Sequence, residues 1–316
     1  MAAKGSKSSR RWWCTAGTAA KRTRLGKYII GTGFKMDVGK LLLVATPIGN
    51  LGDITLRALE ALREADVVAA EDTRRTVKLL NHYAIKNKLV SFHEYSREAR
   101  FEEILGLLAV GKKVALVSDA GTPVISDPGY ELVRRCIEKG IEVESIPGAC
   151  AAVTAVTLSG MDCSRFLFWG FLSPKQAARR RELEEIQEKG IPCVVYESPN
   201  RILKLLADVC DICGAETRVC VCRELTKLHE ESLRMTAGEA RAELGGREAI
   251  KGEFVVVIDP QPAETEKLSE QRIAQEVEKR LQSGMTKKSA AAEVAKEYGL
   301  PKNRVYGIAL GSGKRE

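Results

Sequence analysis

The chain has 316 residues, 44% hydrophobic and 29% charged, a balance that supplies material for buried cores and excludes wholesale disorder. Its length points to two domains with a small appendage, and no apolar run approaches the 18 residues of a membrane-crossing helix. The net charge of +8 does not belong to the body: residues 1–35 hold nine Lys/Arg and no Asp/Glu, leaving 41 basic against 42 acidic residues from position 36 onward. Nucleic-acid affinity in the folded part must therefore come from local patches.

The basic arm, residues 1–35, is rich in Lys, Arg, Ser, Gly and Ala and has no sustained period, so it is expected to be disordered. Because Met36 stands immediately before the first strand, the arm reads as translation from an upstream start rather than as an RNA-binding tail or a transit-like peptide. From Gly39 the text alternates. Strands are expected at 40–46, 66–70, 89–91, 112–118 and 141–146, with helices at 53–64, 73–82, 97–109 and 129–139 and another beginning after Pro147. Two-sided apolar strands separated by helices predict a mostly parallel sheet covered on both faces, an N-terminal α/β domain over 36–160. Strands near 166–169, 193–196, 218–222 and 254–258 with helices at 175–189 and 200–213 predict a second α/β domain over 161–260. Gln261 to Glu266 reads as a linker. Residues 266–316 form a small helical unit, an amphipathic stretch over 269–282 followed by helix, Gly turn and helix, the pattern of a nucleic-acid-binding or a packing module.

Nine cysteines without an apolar signal segment indicate a reducing, cytoplasmic compartment and free thiols. Cys210, Cys213, Cys220 and Cys222 have the spacing of a compact zinc site, but Cys220 and Cys222 share one face of an apolar strand, where free cysteine acts as a small hydrophobe. Core filling is the preferred reading, and no metal is expected.

Ligands of open parallel sheets bind beyond the carboxyl ends of the strands. The loops there are Thr46-Pro-Ile-Gly-Asn50, Glu71-Asp-Thr-Arg74, Phe92-His-Glu-Tyr95, Ser118-Asp-Ala-Gly-Thr-Pro123 and Pro147-Gly-Ala149. The loop from Ser118 to Gly129 is the richest, with two Gly, two Pro and two Asp. Gly and Pro fix an unusual path and let a ligand approach the main chain. Asp119 offers a carboxylate and Thr122 a hydroxyl, while Asp127 has the alternative role of turn former or helix cap. The run from Pro147 to Ala152 opens a helix with side chains no larger than Cys, leaving room for a flat ligand. No G-x-G-x-x-G follows the first strand and no Walker A sequence occurs, so ordinary dinucleotide and P-loop readings fall.

The runs Leu43 to Ala58, Ala70-Glu-Asp-Thr-Arg74, Ser118 to Gly129, Ile146-Pro-Gly-Ala149 and Tyr196-Glu-Ser-Pro-Asn-Arg201 closely resemble the tetrapyrrole-methylase-like family, in its bacterial branch acting on small-subunit ribosomal RNA. The resemblance covers about residues 36–310. It implies two α/β domains of the tetrapyrrole methylase type, S-adenosylmethionine in the cleft between them, assembly as a homodimer, and methyl transfer to the ribose 2′-hydroxyl of a decoding-site cytidine of 16S RNA, free or in the small ribosomal subunit. The alternatives are a tetrapyrrole or corrin-precursor methylase of the same fold and a non-catalytic RNA-binding module.

Pro47, Ser118, Asp119, Gly121, Thr122, Ile125, Gly148 and Ala151 are the expected cofactor residues. A ribose hydroxyl needs a base, and the candidates are His93, Glu94, Glu71 and Asp72. For RNA, the cations Lys175, Arg179, Arg180 and Arg181 oppose the dipole at the start of their helix; with Arg74 and Arg201 they are the expected phosphate contacts.

Overall fold

The computed structural model describes residues 39–260, 270–298 and 302–311. The basic arm, with its reading as translation from an upstream start, Met36 and the linker at 261–266 lie outside the described residues.

The first sheet is built from β1 (Lys40–Val44), β2 (Val67–Ala70), β3 (Leu89–Ser91), β4 (Lys113–Val117) and β5 (Glu142–Ile146), all parallel, in the order β3-β2-β4-β1-β5. Alternate side chains go to opposite faces. Leu42, Val44, Val68 and Ala115 pack beneath Ala58, Leu59 and Leu62 of α1 (Leu56–Glu64) and Leu80 of α2 (Thr73–His82). Leu41, Val67, Val114 and Leu116 pack on the other side against Ile104 and Leu108 of α3 (Glu98–Ala109) and Leu132 and Cys136 of α4 (Tyr130–Glu138). This two-sided cover is why the strands read as continuous apolar runs. The first helix is shorter than its expected span of 53–64: Asn50 caps a 3-10 turn at Leu51–Asp53, and the Thr55 hydroxyl then caps α1.

The second sheet is mixed, in the order β6-β7-β10-β8-β9. It contains β6 (Leu167–Phe171), β7 (Cys193–Glu197), β8 (Arg218–Arg223), β9 (Glu231–Thr236) and β10 (Phe254–Asp259); only β6 and β7 pair in parallel. The strand β9 and the following α8 (Ala237–Gly245) were not foreseen. β9 is a half-buried edge with a weak apolar pattern, and α8 is set by a Thr236–Glu239 capping box. α6 (Gln176–Lys189), α7 (Ile202–Cys213) and α8 cover one face. The other face receives Ala152 and Ala155 of α5 (Ala151–Ser159), a helix that follows the first sheet. α5 thus joins the halves and sets the cleft between them.

The four spaced cysteines divide between these faces. Cys210 and Cys213 pack with the α6–α8 side, whereas Cys220 and Cys222 are buried on the α5 side. They cannot converge on one zinc ion, and core filling accounts for both pairs. At the C-terminal end, α9 (Glu270–Gln282), α10 (Lys287–Glu297) and α11 (Lys302–Gly311) close around Ile273, Val277, Val294 and Val305.

Candidate functional site

The loop after β4 is the hub of the rim. Thr46 and Gly121 exchange both main-chain hydrogen bonds, at 2.9 and 3.0 Å, which ties it to the loop after β1. The Asp119 carboxylate accepts from the Asp72 amide at 3.0 Å and faces the Arg75 guanidinium at 3.4 Å, which ties it to the loop after β2. The Thr122 hydroxyl donates to the Ala149 carbonyl at 3.1 Å, reaching the loop before α5. Four loops from one sheet edge are therefore held in one arrangement.

Beside this hub lies a cleft of about 390 Å³ between the two sheets. Asp119, Gly121, Thr122, Ile125 and Ala151 line it, as the sequence reading expects. Pro47 and Ser118 line a smaller adjoining recess. Gly148 enters neither lining; a Cβ there would stand 2.9 Å from the Ala45 Cβ, so its task is close packing under β1. Cys150, in the run read as room for a flat ligand, lines it too, and the cleft also uses residues the sequence did not single out for it: Arg75, Asp127, Phe171, Tyr196 and Leu225. Tyr196 was visible in the run Tyr196 to Arg201, but only the second sheet's position shows that it crosses to the first rim. Its ring meets Phe168 and Phe171 edge-on at 5.2 and 5.6 Å, and burial pushes its hydroxyl up to about 12.

Two apolar residues enter the cleft from strained turns, one from each half. Ile125 stands between Val124 and Ser126, with φ of +77° and +59°; Leu225 stands between Glu224 and Thr226, with φ of +51° and +65°. A β-branched residue in this region costs on the order of 1–3 kcal/mol, a cost characteristic of functional loops.

The acids are distributed unevenly. Glu71 and Asp127 line both this cleft and a second groove of about 500 Å³ that contains His93 and Glu94. Glu71 Oε2 is buried without a hydrogen-bond partner, and burial, then the Asp119 charge, raises its pKa. Burial and then the Glu71 charge push Asp127 up to about 6, partly offset by the Ser118 hydroxyl. Asp72 does not fit the role of base. It caps α2 by accepting from the Arg74 amide at 2.9 Å, and its hydrogen bonds from the Arg74 side chain hold it down to about 2.

Of the six expected phosphate contacts, Arg179, Arg180 and Arg201 are engaged by acids of the second half. Arg179 is buried, with Nε and Nη2 2.8 and 2.6 Å from Asp208 Oδ2. Arg180 reaches Asp211 at 3.0 Å and Asp208 at 3.4 Å, and Arg201 is held by Glu197 at 2.7 Å and the Leu172 carbonyl at 2.8 Å. Two of the cations that oppose the α6 dipole, Arg179 and Arg180, face the buried Asp208 carboxylate of α7, a partner the sequence order could not reveal. Lys175 and Arg181 are exposed and carry no ion pair among the described residues; Arg74 is exposed but paired with Asp72.

Residues 40–241 match the tetrapyrrole (corrin/porphyrin) methylases, and residues 268–313 match the RsmI C-terminal HTH domain. The chain belongs to the tetrapyrrole methylase family. Within it, the chain is 47% identical over 280 residues to the protein named ribosomal RNA small subunit methyltransferase I of Halalkalibacterium halodurans, covering 86% of this chain and 95% of that protein. The proteins of the same name from Thermotoga maritima and Escherichia coli O157:H7 are 50% and 42% identical, covering 70% and 86% of this chain and 98% and 95% of theirs. Among solved structures, a diphthine synthase superposes with a TM-score of 0.55 at 15% identity, over 70% of this chain and 90% of that one. Cobalt precorrin-4 methyltransferase gives 0.53 at 18% identity, over 69% and 94%. These likenesses establish the tetrapyrrole methylase fold, with two α/β sheets and a C-terminal helical region. No helix among the described residues is long and apolar enough to cross a membrane.

The cleft suits S-adenosylmethionine. Its lining acids, Glu71, Asp119, Asp127, Glu197 and Glu253, outnumber the one lining cation, Arg75, a balance that favours a cationic ligand such as a sulfonium, and Glu71 Oε2 is an unpaired buried acceptor. Ile48, Ile125, Phe171 and Val255 give an apolar wall for a flat ring. At Gly121, φ is +82° and a Cβ would sit 3.3 Å from Ile48 Cγ2, so only glycine keeps this backbone open and unstrained.

Proposed function

We propose that this chain methylates small-subunit ribosomal RNA, transferring the methyl of S-adenosylmethionine to a ribose 2′-hydroxyl of a decoding-site cytidine. The 40–50% identity to proteins named for that RNA supports the substrate class. The observation that carries the ribose assignment is the pair Glu71 and Asp127, set where the cofactor cleft meets the second groove.

S-adenosylmethionine supplies a methyl group on a sulfonium that departs as a neutral thioether when displaced. The chain's part is to position and to move a proton. Asp119, Gly121, Thr122, Ile125 and Ala151 would hold the donor, with Ile125 and Leu225 keeping water out of the cleft. A ribose hydroxyl is a poor nucleophile until its proton leaves, and Asp127 or Glu71 takes that proton as the new oxygen–carbon bond forms. Two carboxyls with raised pKa values beside one another are suited to share it, since both cannot ionise freely at short range. Of the expected phosphate contacts, Lys175 and Arg181 are exposed and without an ion pair among the described residues, and Arg74 is exposed and paired with Asp72.

Methylation of purified 16S RNA with a labelled donor tests the reading. Label in RNA supports it; label in a corrin precursor and none in RNA replaces it with small-molecule methylation; label in neither leaves a binding module.

A further inference from the structure

The second groove holds features that cofactor binding does not use. Its walls include His93, Glu94 and Tyr95 from the loop after β3, Ser126 and Asp127 from the loop after β4, and Tyr130 at the start of α4. Tyr95 is 84% and Tyr130 69% exposed, unusually open for aromatic residues lining one recess. Beneath them the floor is firm. Phe92 is buried, meets Phe101 edge-on at 5.1 Å, and Phe101 in turn carries the Arg135 guanidinium 4.8 Å from its ring centre. The β3 loop is itself fastened: the His93 amide donates to the Ser96 hydroxyl at 2.8 Å, and the Ser96 amide returns to the His93 carbonyl at 2.9 Å.

The recess is continuous with the cofactor cleft, because Glu71, Ser126 and Asp127 belong to both. At about 500 Å³ it is of small-molecule size, too small for a folded RNA element. A recess of this size, walled by exposed aromatic rings, has room for one base rather than for a stacked run of them. Unstacked bases of single-stranded RNA are splayed out and stacked on aromatic side chains, and enzymes that modify a base hold it in such a pocket. Among the acids of the groove, Glu131 is bound to Arg134 and Arg135, while Glu94 has no ion pair among the described residues. A free carboxylate accepts from an exocyclic amino group such as cytosine N4, which uracil lacks.

We infer that this groove receives the target nucleotide, turned out of its strand, with the base against Tyr95 and Tyr130, the cytosine amino group at Glu94, and the ribose at Glu71 and Asp127. The inference rests on the reading of the chain as an RNA ribose methylase.

The test is steady-state methylation of 16S RNA by Tyr95→Ala, Tyr130→Ala and their Phe counterparts, with donor affinity measured separately by calorimetry. Base–aromatic stacking is worth about 1–3 kcal/mol per base, so each Ala variant should lose about 5- to 150-fold in kcat/KM for RNA. Donor affinity should stay unchanged and Phe should restore the rate. Glu94→Ala should narrow the preference for a cytidine over a uridine at the target position. Ala variants with wild-type kcat/KM for RNA would overturn the pocket while leaving the RNA reading intact. An unaltered cytidine preference in Glu94→Ala would remove Glu94 from it, and a wild-type enzyme that labels no RNA would overturn both readings.

Discussion

Asp119 accepts a hydrogen bond from the backbone amide of Asp72 at 3.0 Å, so the carboxylate that faces the cofactor cleft also anchors the start of α2. Its second oxygen faces Arg75 at 3.4 Å. A ligand that contacts this side chain would therefore act on loop order as well.

Asp119→Ala should weaken S-adenosylmethionine binding in calorimetry by about 10- to 100-fold, the range expected for a lost hydrogen bond to a charged group. Arg75→Ala, which leaves the Asp72–Asp119 bond in place, should cost less. A folded Asp119→Ala protein with wild-type affinity would take Asp119 out of the binding site.

The proton acceptor gives a pH signature. Asp127 is pushed up to about 6 chiefly by burial, and it shares its surroundings with Glu71 and Arg75 from the β2 side, Asp119 from β4, Tyr196 and Glu197 from β7, Glu253 before β10, and His93, Glu94 and Glu131 around the groove. Acting as a base, it must be ionised, so kcat should rise with pH and level off above about 6, with the apparent value belonging to the Glu71–Asp127 pair. Asp127→Asn should lower kcat by about 10²- to 10⁴-fold with donor affinity retained. A pH–rate profile unchanged in that variant would exclude the assignment.

The same carboxyl makes an opposite prediction for stability. Its pKa in the folded state lies above the unfolded value of 3.8, so the native protein binds more protons between about 4 and 6 and its stability falls as pH rises through that window. At pH 7, Asp127→Asn should unfold at a higher temperature than the wild type. A lower melting temperature would show that the ionised carboxylate is a net structural asset.

Arg179 separates structure from RNA contact. Arg179→Gln removes the buried two-nitrogen partner of the Asp208 carboxylate, leaving it only the longer contacts of Arg180 and Gln176, and should destabilise the fold by up to about 3–5 kcal/mol in denaturant unfolding. Replacing Lys175 and Arg181 with Gln should leave stability unchanged. If they contact phosphate, that double variant should flatten the salt dependence of RNA binding by up to about 0.9 logarithmic units per lost duplex contact, or about 0.7 for single strands. An unaltered slope would direct attention to Lys287, Lys288 and Lys302 of the C-terminal helices.

What the sequence disclosed follows from the range of the forces involved. The first sheet was legible because β1, β2 and β4 are buried on both faces and their helices carry local signals: α2 spans the expected Thr73–His82. The rim loops were legible because Gly and Pro mark unusual paths. β9 was missed because an edge strand has no strong period. Arg179 was misassigned because its partner Asp208 lies 29 positions away on another helix, and Asp127 was left out of the site because a turn former and a buried acid look alike until Glu71 is placed beside it.

The central claim, transfer to a ribose oxygen of small-subunit RNA, is tested most directly by where the label resides. A 2′-O-methyl group removes the hydroxyl that alkaline hydrolysis needs. After reaction of wild-type enzyme with labelled S-adenosylmethionine and 16S RNA, complete alkaline digestion should leave the label in a single resistant dinucleotide whose 5′ residue is cytidine. Label recovered only in mononucleotides would place the methyl on a base and contradict the account.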